Sequence, residues 1–275
     1  MMAIDNFIPE VWAAGVTQSF IANQVVIPTL NNAFTGDVVA GSKVHIINAT
    51  TPTVVDYAGA GRSISAEALN DTEVELTIDQ EKAFSVNVDD VDRVQASSEF
   101  APWVDSAGRA LAEDAEDYLL NTIMAAEATT ANTDSLVIDG SDDALFAVRA
   151  IRKTMANNKV PAAGRYLVVN PDFADLLIQG LDDVSVAGEA GELRNGVIGR
   201  LYGFTVVESP LLDNGNSVPQ AMGYHEAMVG FVNQVQSLES LRNPTKFADI
   251  VRGLNVYGGK VIKSDACIKF FGEAA

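Results

Sequence analysis

Residues 99–127 read EFAPWVDSAGRALAEDAEDYLLNTIMAAE, and this stretch decides the architecture. Pro102 falls in the first turn of a helix, where a missing backbone N–H costs nothing. Trp103, Ala107, Leu111, Ala115, Leu119 and Ile123 recur at i+4 and make one apolar stripe. Asp105, Arg109 and Glu113 lie on another face at the spacing of i+4 ion pairs. At ~1.5 Å per residue the helix spans roughly 40 Å, more than the width of a small domain. The pattern predicts a spine on which other elements are hung.

Upstream of the spine the period changes from helical to two. Val74, Leu76 and Ile78 alternate with polar residues, and Phe84, Val86 and Val88 repeat the pattern, as half-buried strands do. Val44 to Asn48 reads as a further strand. Between them, from Thr50 to Asn70, there is no period, only Pro52, Gly59, Gly61 and small polar residues. Residues 48–80 are therefore expected to form a long two-stranded excursion with a mobile tip. A bare hairpin is marginally stable in water, so such an excursion needs a partner surface. Residues 1–40 read as an apolar arm with one short helix near Pro9 and Trp12. An extended piece, Val25-Val26-Ile27-Pro28, follows. An arm this apolar must lie either on its own core or on a neighbouring molecule.

Downstream, helix and strand alternate. Ala128 to Ser135 is the best linker. A helix begins at Asp142-Asp143 and carries Leu145, Val148, Ile151 and Met155. The strand Tyr166 to Asn170 is stopped by Pro171, a short helix covers Phe173 to Ile178, and Ser185 to Gly199 reads as a surface loop. The strand Phe204 to Glu208 ends before Pro210. Strands over about 227–235 and 246–270 close the chain, the second broken at Gly258-Gly259. The fold class is α+β with long extended segments.

The chain has 275 residues, 48% of them apolar, enough for a sizeable buried core. Its formal net charge of −19 argues against a role in gripping nucleic acid, which needs clustered Lys and Arg. The single cysteine, Cys267, cannot staple the fold and reads as a small buried apolar residue. No Lys, Arg or His precedes Lys43, so no cationic signal region is read, and no apolar run reaches the ~18–20 residues of a membrane span. A soluble protein made in a reducing cytosol, with no membrane contact, is expected.

Motifs for chemistry are weak. Gly59-Ala60-Gly61-Arg62 lacks the Lys-Ser/Thr pair of a phosphate loop. Asp139-Gly140-Ser141-Asp142-Asp143 lacks the terminal Glu of a calcium loop and reads as a turn and helix cap. His45 and His225 stand alone, and no Gly-x-Ser-x-Gly elbow is present. Acidic pairs such as Asp89-Asp90 and Asp182-Asp183 read as solvated surface in a chain this acidic. No catalytic, cofactor or metal site is expected, and the chain is read as a non-enzyme.

The order of elements carries more than any motif. Phe7-Ile8-Pro9-Glu10-Val11-Trp12, then the Trp103-led helix, then Tyr166 to Pro171 with Val168-Val169-Asn170-Pro171, then Arg252 to Ile268 follow one another at characteristic spacing. Together they resemble tailed-bacteriophage major capsid proteins of the Hong Kong 97 type over nearly the whole chain. The resemblance implies an N-terminal arm with the first strand (1–47) and an E-loop (48–80). It implies a peripheral domain on the spine helix (81–129), an axial domain (130–235), peripheral return strands (236–258) and a final axial strand (259–275). It further implies hexamers and pentamers closing into an icosahedral shell around double-stranded DNA that is enclosed without specific binding. Scaffolding, portal and decoration proteins are the implied partners. The virion is the implied location.

Some relatives cross-link through a Lys on the E-loop. Between Thr50 and Glu81 the only basic residue here is Arg62, so non-covalent assembly is expected. Some relatives also carry an N-terminal scaffolding segment; the reading here is of a separate scaffolding protein or none. The excursion carries Asp56, Glu67, Asp71, Glu73, Glu75, Asp79 and Glu81, whereas the chain end carries Arg242, Lys246, Arg252, Lys260, Lys263 and Lys269. The expected intersubunit contacts are therefore Trp12 on the arm, Arg62, Glu73 and Glu75 on the loop, and Arg242, Lys246 and Arg252 on the return strands. The surplus of acid would also keep enclosed DNA mobile by repulsion. The closest rival is an encapsulin, a bacterial nanocompartment shell of the same fold that holds a cargo peptide. A soluble enzyme and a tail or decoration protein are more distant alternatives.

Overall fold

A computed structural model of the chain describes residues 24–31, 43–49, 53–59, 61–63, 71–89, 101–131, 138, 140–182, 197–212, 218–246 and 248–271. Its strands and helices follow in this order. β1 (Lys43–Ala49), β2 (Asp71–Thr77) and β3 (Gln80–Asp89) precede the helix α1 (Ala101–Asp117). That helix continues without interruption as a π-helical stretch, Tyr118–Met124, and a last α turn, Ala125–Glu127. Next come β4 (Thr129–Thr130), α2 (Ser141–Asn157), β5 (Arg165–Val169) and α3 (Pro171–Asp182). The chain ends in β6 (Val197–Leu201), β7 (Phe204–Glu208), β8 (Gln220–His225), β9 (Val229–Arg242), β10 (Ala248–Val261) and β11 (Cys267–Phe271).

These strands form three sheets: β1-β2, then β3-β10-β9, then a mixed sheet in the order β4-β11-β8-β5-β7-β6. The six-stranded sheet is the middle of a three-layer body. Leu167, Val169, Phe204, Val206 and Ile268 meet Val148, Ile151, Met155, Phe173 and Leu177 of α2 and α3 on one face. On the other face Val168, Val207, Met222, Tyr224 and Cys267 meet Leu119, Leu120 and Met124 of the long helix. Strands buried on both faces lose the polar alternation of half-exposed ones. That is why β5 and β7 read as apolar runs.

The Asn170-Pro171 pair links two of these layers. Asn170 Oδ1 accepts from Phe173 N at 3.0 Å and from Gln220 N at 2.9 Å, while its amide donates to Val218 O at 2.8 Å. One side chain thus caps α3 and fixes β8 beside β5, with proline at the first helical position, where its ring suits the backbone.

The structure revises several sequence expectations. The buried face of the long helix carries Ala112, Ala115, Glu116, Leu119, Leu120 and Met124, whereas Leu111 and Ile123 of the expected stripe are half-buried. The π turns hold extra residues and rotate the buried face relative to a strict i+4 series. Gly258-Gly259 does not break the last strand region: β10 runs straight through it, paired to Val232 and Phe231 of β9. Gly258 is there because a neighbour needs the space. A Cβ at that position would lie 2.2 Å from the carbonyl oxygen of Thr77.

β9 and β10 are each a single strand of 14 residues, continuous through 235/236 and 258/259. Thr129-Thr130, read as linker, instead pairs parallel to Ile268-Lys269. β6 and β8 were not anticipated, and α3 is longer than 173–178. Val25 to Pro28 is not extended: Ile27–Thr29 form a 3-10 turn with Pro28 inside it. Residues 32–42, 90–100, 132–137 and 183–196 lie outside the described residues, as do 1–23.

Candidate self-association surfaces

Three contacts hold the hairpin to the body, and all lie at its root. Its ladder runs from Lys43↔Thr77 to Ala49↔Asp71, so it starts earlier than 48, and its second strand is β2. β3 leaves instead to pair with β10. At the root, Val44 and Leu76 pack on Val232, with Ile46 and Ile78 around them. The corner between β2 and β3 sits on the backbone of Gly258. Tyr118 of the long helix donates its hydroxyl to Asp79 Oδ1 at 2.9 Å. Burial and the adjacent Asp79 carboxylate push the Tyr118 phenol up to about 12. Next to it, at 5.6 Å and nearly edge-on, Tyr257 donates to Asp114 Oδ2 at 2.5 Å.

Beyond the root the described residues of the hairpin have no such cover. Thr53–Gly59 and Gly61–Ser63 are exposed throughout. Val54 is 95% exposed, and Val55 and Tyr57 are each 54% exposed. The tip is nonetheless shaped: Arg62 N donates to Tyr57 O at 2.9 Å, and Ala58 N donates to Asp56 Oδ1 at 3.0 Å. Arg62 takes a left-handed backbone, φ 62°, and points from an exposed turn. Apolar side chains clustered on a projecting element mark a contact surface.

The expected contact residues divide between strands. Glu73 pairs with His45 and Glu75 with Lys43 across the β1–β2 ladder, so both carboxylates face partners within the chain. The Lys43 ammonium holds the Glu75 carboxyl below its ordinary value. Arg252 pairs with Glu239 on the neighbouring strand, Nε to Oε2 at 2.9 Å. Arg242 and Lys246 are exposed at the far end of the β9–β10 pair. Trp12 lies outside the described residues. Two further cations of the basic chain end serve the body: Lys260 pairs with Glu127, and Lys269 donates to Ala125 O at 2.6 Å. Both neutralise the carbonyl end of the long helix. Charge counting alone could not separate these from free surface cations.

Sequence reading missed Glu116. It is 2% exposed, and its Oε1 accepts from three consecutive backbone N–H groups: Val25 at 2.6 Å, Val26 at 2.7 Å and Ile27 at 3.3 Å. The end of the arm is thereby pinned to the long helix, and Val26, Ile27 and Leu30 enter the body core. Burial pushes the Glu116 carboxyl up, and the three N–H groups oppose this. The signal was present as a single carboxylate in the otherwise apolar series Ala112, Glu116, Leu120, Met124. Cys267 is buried, and burial pushes its thiol up to about 12. His225 is buried in the body, where its Nδ1 accepts from Ala227 N at 3.2 Å. Among the described residues no group of acidic, His or Cys side chains is placed to hold a metal ion. Nor is any helix there long and apolar enough to cross a membrane.

This mixed helix-and-sheet fold is similar to solved phage capsid structures. It superposes on a chain of Mycobacterium phage Che8 with a TM-score of 0.75 and 34% identity, covering 90% of each chain. A capsid structure of cyanophage P-SCSP1u gives 0.66 at 16% identity over 86% of this chain and 85% of that one. A virus-like particle from Pyrococcus furiosus gives 0.60 at 11% identity over 95% and 98%. The last two likenesses speak for the fold alone. No curated protein sequence matches. The family model described as phage capsid protein matches residues 49–270, and the chain belongs to that family. It is therefore a structural protein of the capsid.

Proposed function

We propose that this chain is the major head protein of a tailed phage, tiling as hexamers and pentamers into an icosahedral shell that encloses double-stranded DNA. The observation that carries this reading is the hairpin. Its root is packed by Val44, Leu76 and Val232, while Val54, Val55 and Tyr57 stand in solvent on the isolated chain. An element built this way is completed by a neighbour. In this reading the β1–β2 hairpin is the E-loop and the long helix is the spine. The β3-β10-β9 sheet with that helix is the peripheral domain, and the six-stranded sheet with α2 and α3 is the axial domain.

Assembly is non-covalent in this proposal, since the loop offers Arg62 and no lysine. Glu73 and Glu75 would set register against Arg242, Lys246 and Arg252 of an adjacent subunit, exchanging the cross-strand partners they hold within the chain; Arg62 is assigned to a separate loop contact. Exposed pairs contribute little each, so affinity must come from buried apolar contacts repeated many times. Trp12 on the arm is assigned to such a contact. The acidic surface leaves DNA mobile. Scaffolding, portal and decoration proteins are the further partners.

Size-exclusion chromatography with negative-stain microscopy of the expressed chain tests this. Closed shells, capsomers or sheets are expected. A monomer at all concentrations would refute the proposal, and shells that retain one host protein would favour a nanocompartment instead. Replacing Val54 and Tyr57 with Asp should abolish shells without unfolding the chain. Replacing Glu73 and Glu75 with Lys should impair them; unaffected assembly would remove the charge part of the proposal.

A further inference from the structure

α2 and α3 lie side by side on one face of the six-stranded sheet. They meet where Gly180 of α3 faces Leu145 and Ser141 of α2, so closely that a Cβ at 180 would stand 3.1–3.2 Å from those side chains. The helical repeat then fixes which residues form the two outer flanks of this pair. On α2 the flank turned away from α3 carries Phe146, Ala150, Lys153 and Asn157, with Arg149 beside them. Together with Ala131 they line a groove of about 630 Å³. Phe146 is 51% exposed, and neither Arg149 nor Lys153 makes an ion pair with another described residue. On α3 the flank turned away from α2 carries Asp175 and Ile178, and Asp172, one turn earlier, is exposed on the adjoining solvent face. Ile178 is 46% exposed, and among the described residues Asp175 accepts only from Gln179 on its own helix.

The two flanks are complementary. One offers two cations and an aromatic ring beside a groove; the other offers two carboxylates and a branched aliphatic side chain. They sit on opposite sides of one layer, so a molecule cannot satisfy one with the other. A second copy can. We infer that the outer flank of α2 in one copy receives the outer flank of α3 in the next, with Ile178 against Phe146 and Asp172 and Asp175 against Arg149 and Lys153.

Such a contact joins two different surfaces of identical chains. It is heterologous, and it generates a ring when the rotation per copy closes. It also gives a strongly acidic chain a reason to keep an unpaired cationic stripe on α2, since every neighbour brings carboxylates. The inference rests on the capsid reading and adds to it the surface by which rings close.

The test uses the full chain carrying F146C and I178C together. Under mild oxidation, assembled protein should give a ladder of disulfide-linked species up to the closed ring. Each single variant should stay monomeric on a denaturing gel. Cys267 is buried and its thiol is held protonated, so it should add no background. In parallel, R149E/K153E and D172K/D175K should each lower the yield of rings about tenfold or more, because like charges then face each other, and combining all four reversals should restore it. Circular dichroism separates misfolding from lost contact.

Shells that form normally from the double-cysteine variant without a ladder would overturn this contact and leave the capsid reading intact. So would failure of the four-residue swap to restore rings while the chain is folded. If R149E/K153E assembled normally but lost binding to an added acidic protein or to DNA, the α2 flank would belong to that partner. If the wild-type chain formed no oligomer, the capsid reading would fall and this contact with it.

Discussion

The six-stranded sheet and the β1–β2 hairpin both carry aliphatic residues and differ in what covers them. In the body, β5, β7 and β8 have helices on both faces, and Leu167, Val168, Phe204 and Tyr224 are fully buried. In the hairpin, Leu76 is fully buried and Val54 almost fully exposed, although both are aliphatic residues of one excursion. The body is finished by its own chain. The hairpin is finished only at its root. A protein whose stability sits in one region and whose unsatisfied apolar surface sits in another can fold alone and still be built to associate.

Mutations in the two regions should therefore have different readouts. The largest effect on folding is expected from Phe204→Ala, which empties a site between the sheet and its covering helices. A loss of about 3–5 kcal/mol in denaturant unfolding is anticipated. A loss as small as that of a surface substitution would show that the body is not the stable half.

Glu116→Ala comes next. It leaves three arm N–H groups without an acceptor in a buried site, and about 2–3 kcal/mol should be lost. The same residue gives a pH signature. Burial raises the folded carboxyl above its ordinary value, so the folded chain holds this proton more firmly than the unfolded one. Its contribution is full below that value and declines as pH rises through the raised one. Wild type should gain on Glu116→Gln as pH is lowered from 7 to below 4.5, read from denaturation midpoints.

Gly258→Ala sharpens the boundary between the regions. The added methyl meets the Thr77 carbonyl, and the cost should be about 1–3 kcal/mol. Hydrogen exchange should speed up over 43–49 and 71–77 while β5 and β7 keep their protection.

The smallest effect is expected from Glu75→Gln. This carboxylate is solvent-exposed, and the thermal midpoint at pH 7 should not move measurably. Its support for the hairpin is present at neutral pH and lost as pH falls through its lowered value. A large shift in midpoint would mean that the hairpin is coupled to the body more tightly than its root contacts indicate.

The elements that could be read in advance share one property. α2, β5 and β7 are set by local pattern: apolar spacing, an Asn-Pro cap, a stopping proline. The long helix was legible for the same reason, but its buried face was not, because π turns change the residues per turn and no sequence period announces them. β8 was missed because Gln220, Gly223 and His225 interrupt its apolar character; the strand is buried among partners supplied by β5 and β11. The exposure of the turn around Arg62 was legible. The fate of Glu73, Glu75 and Arg252 was not, since each found a cross-strand partner that only register could assign.

By itself the sequence determined that this chain is strongly acidic and folds as a mixed helix-and-sheet protein with a long helix and paired strands before it. Those traits follow from composition and periodicity, which act over a few residues. Only the tertiary structure decided that β2 pairs with β1, that β10 passes unbroken beneath the hairpin root at Gly258, and that one buried carboxylate ties the arm to the helix. Each of these joins residues far apart in the chain, where partner choice is settled by packing and hydrogen-bond geometry that local pattern does not encode.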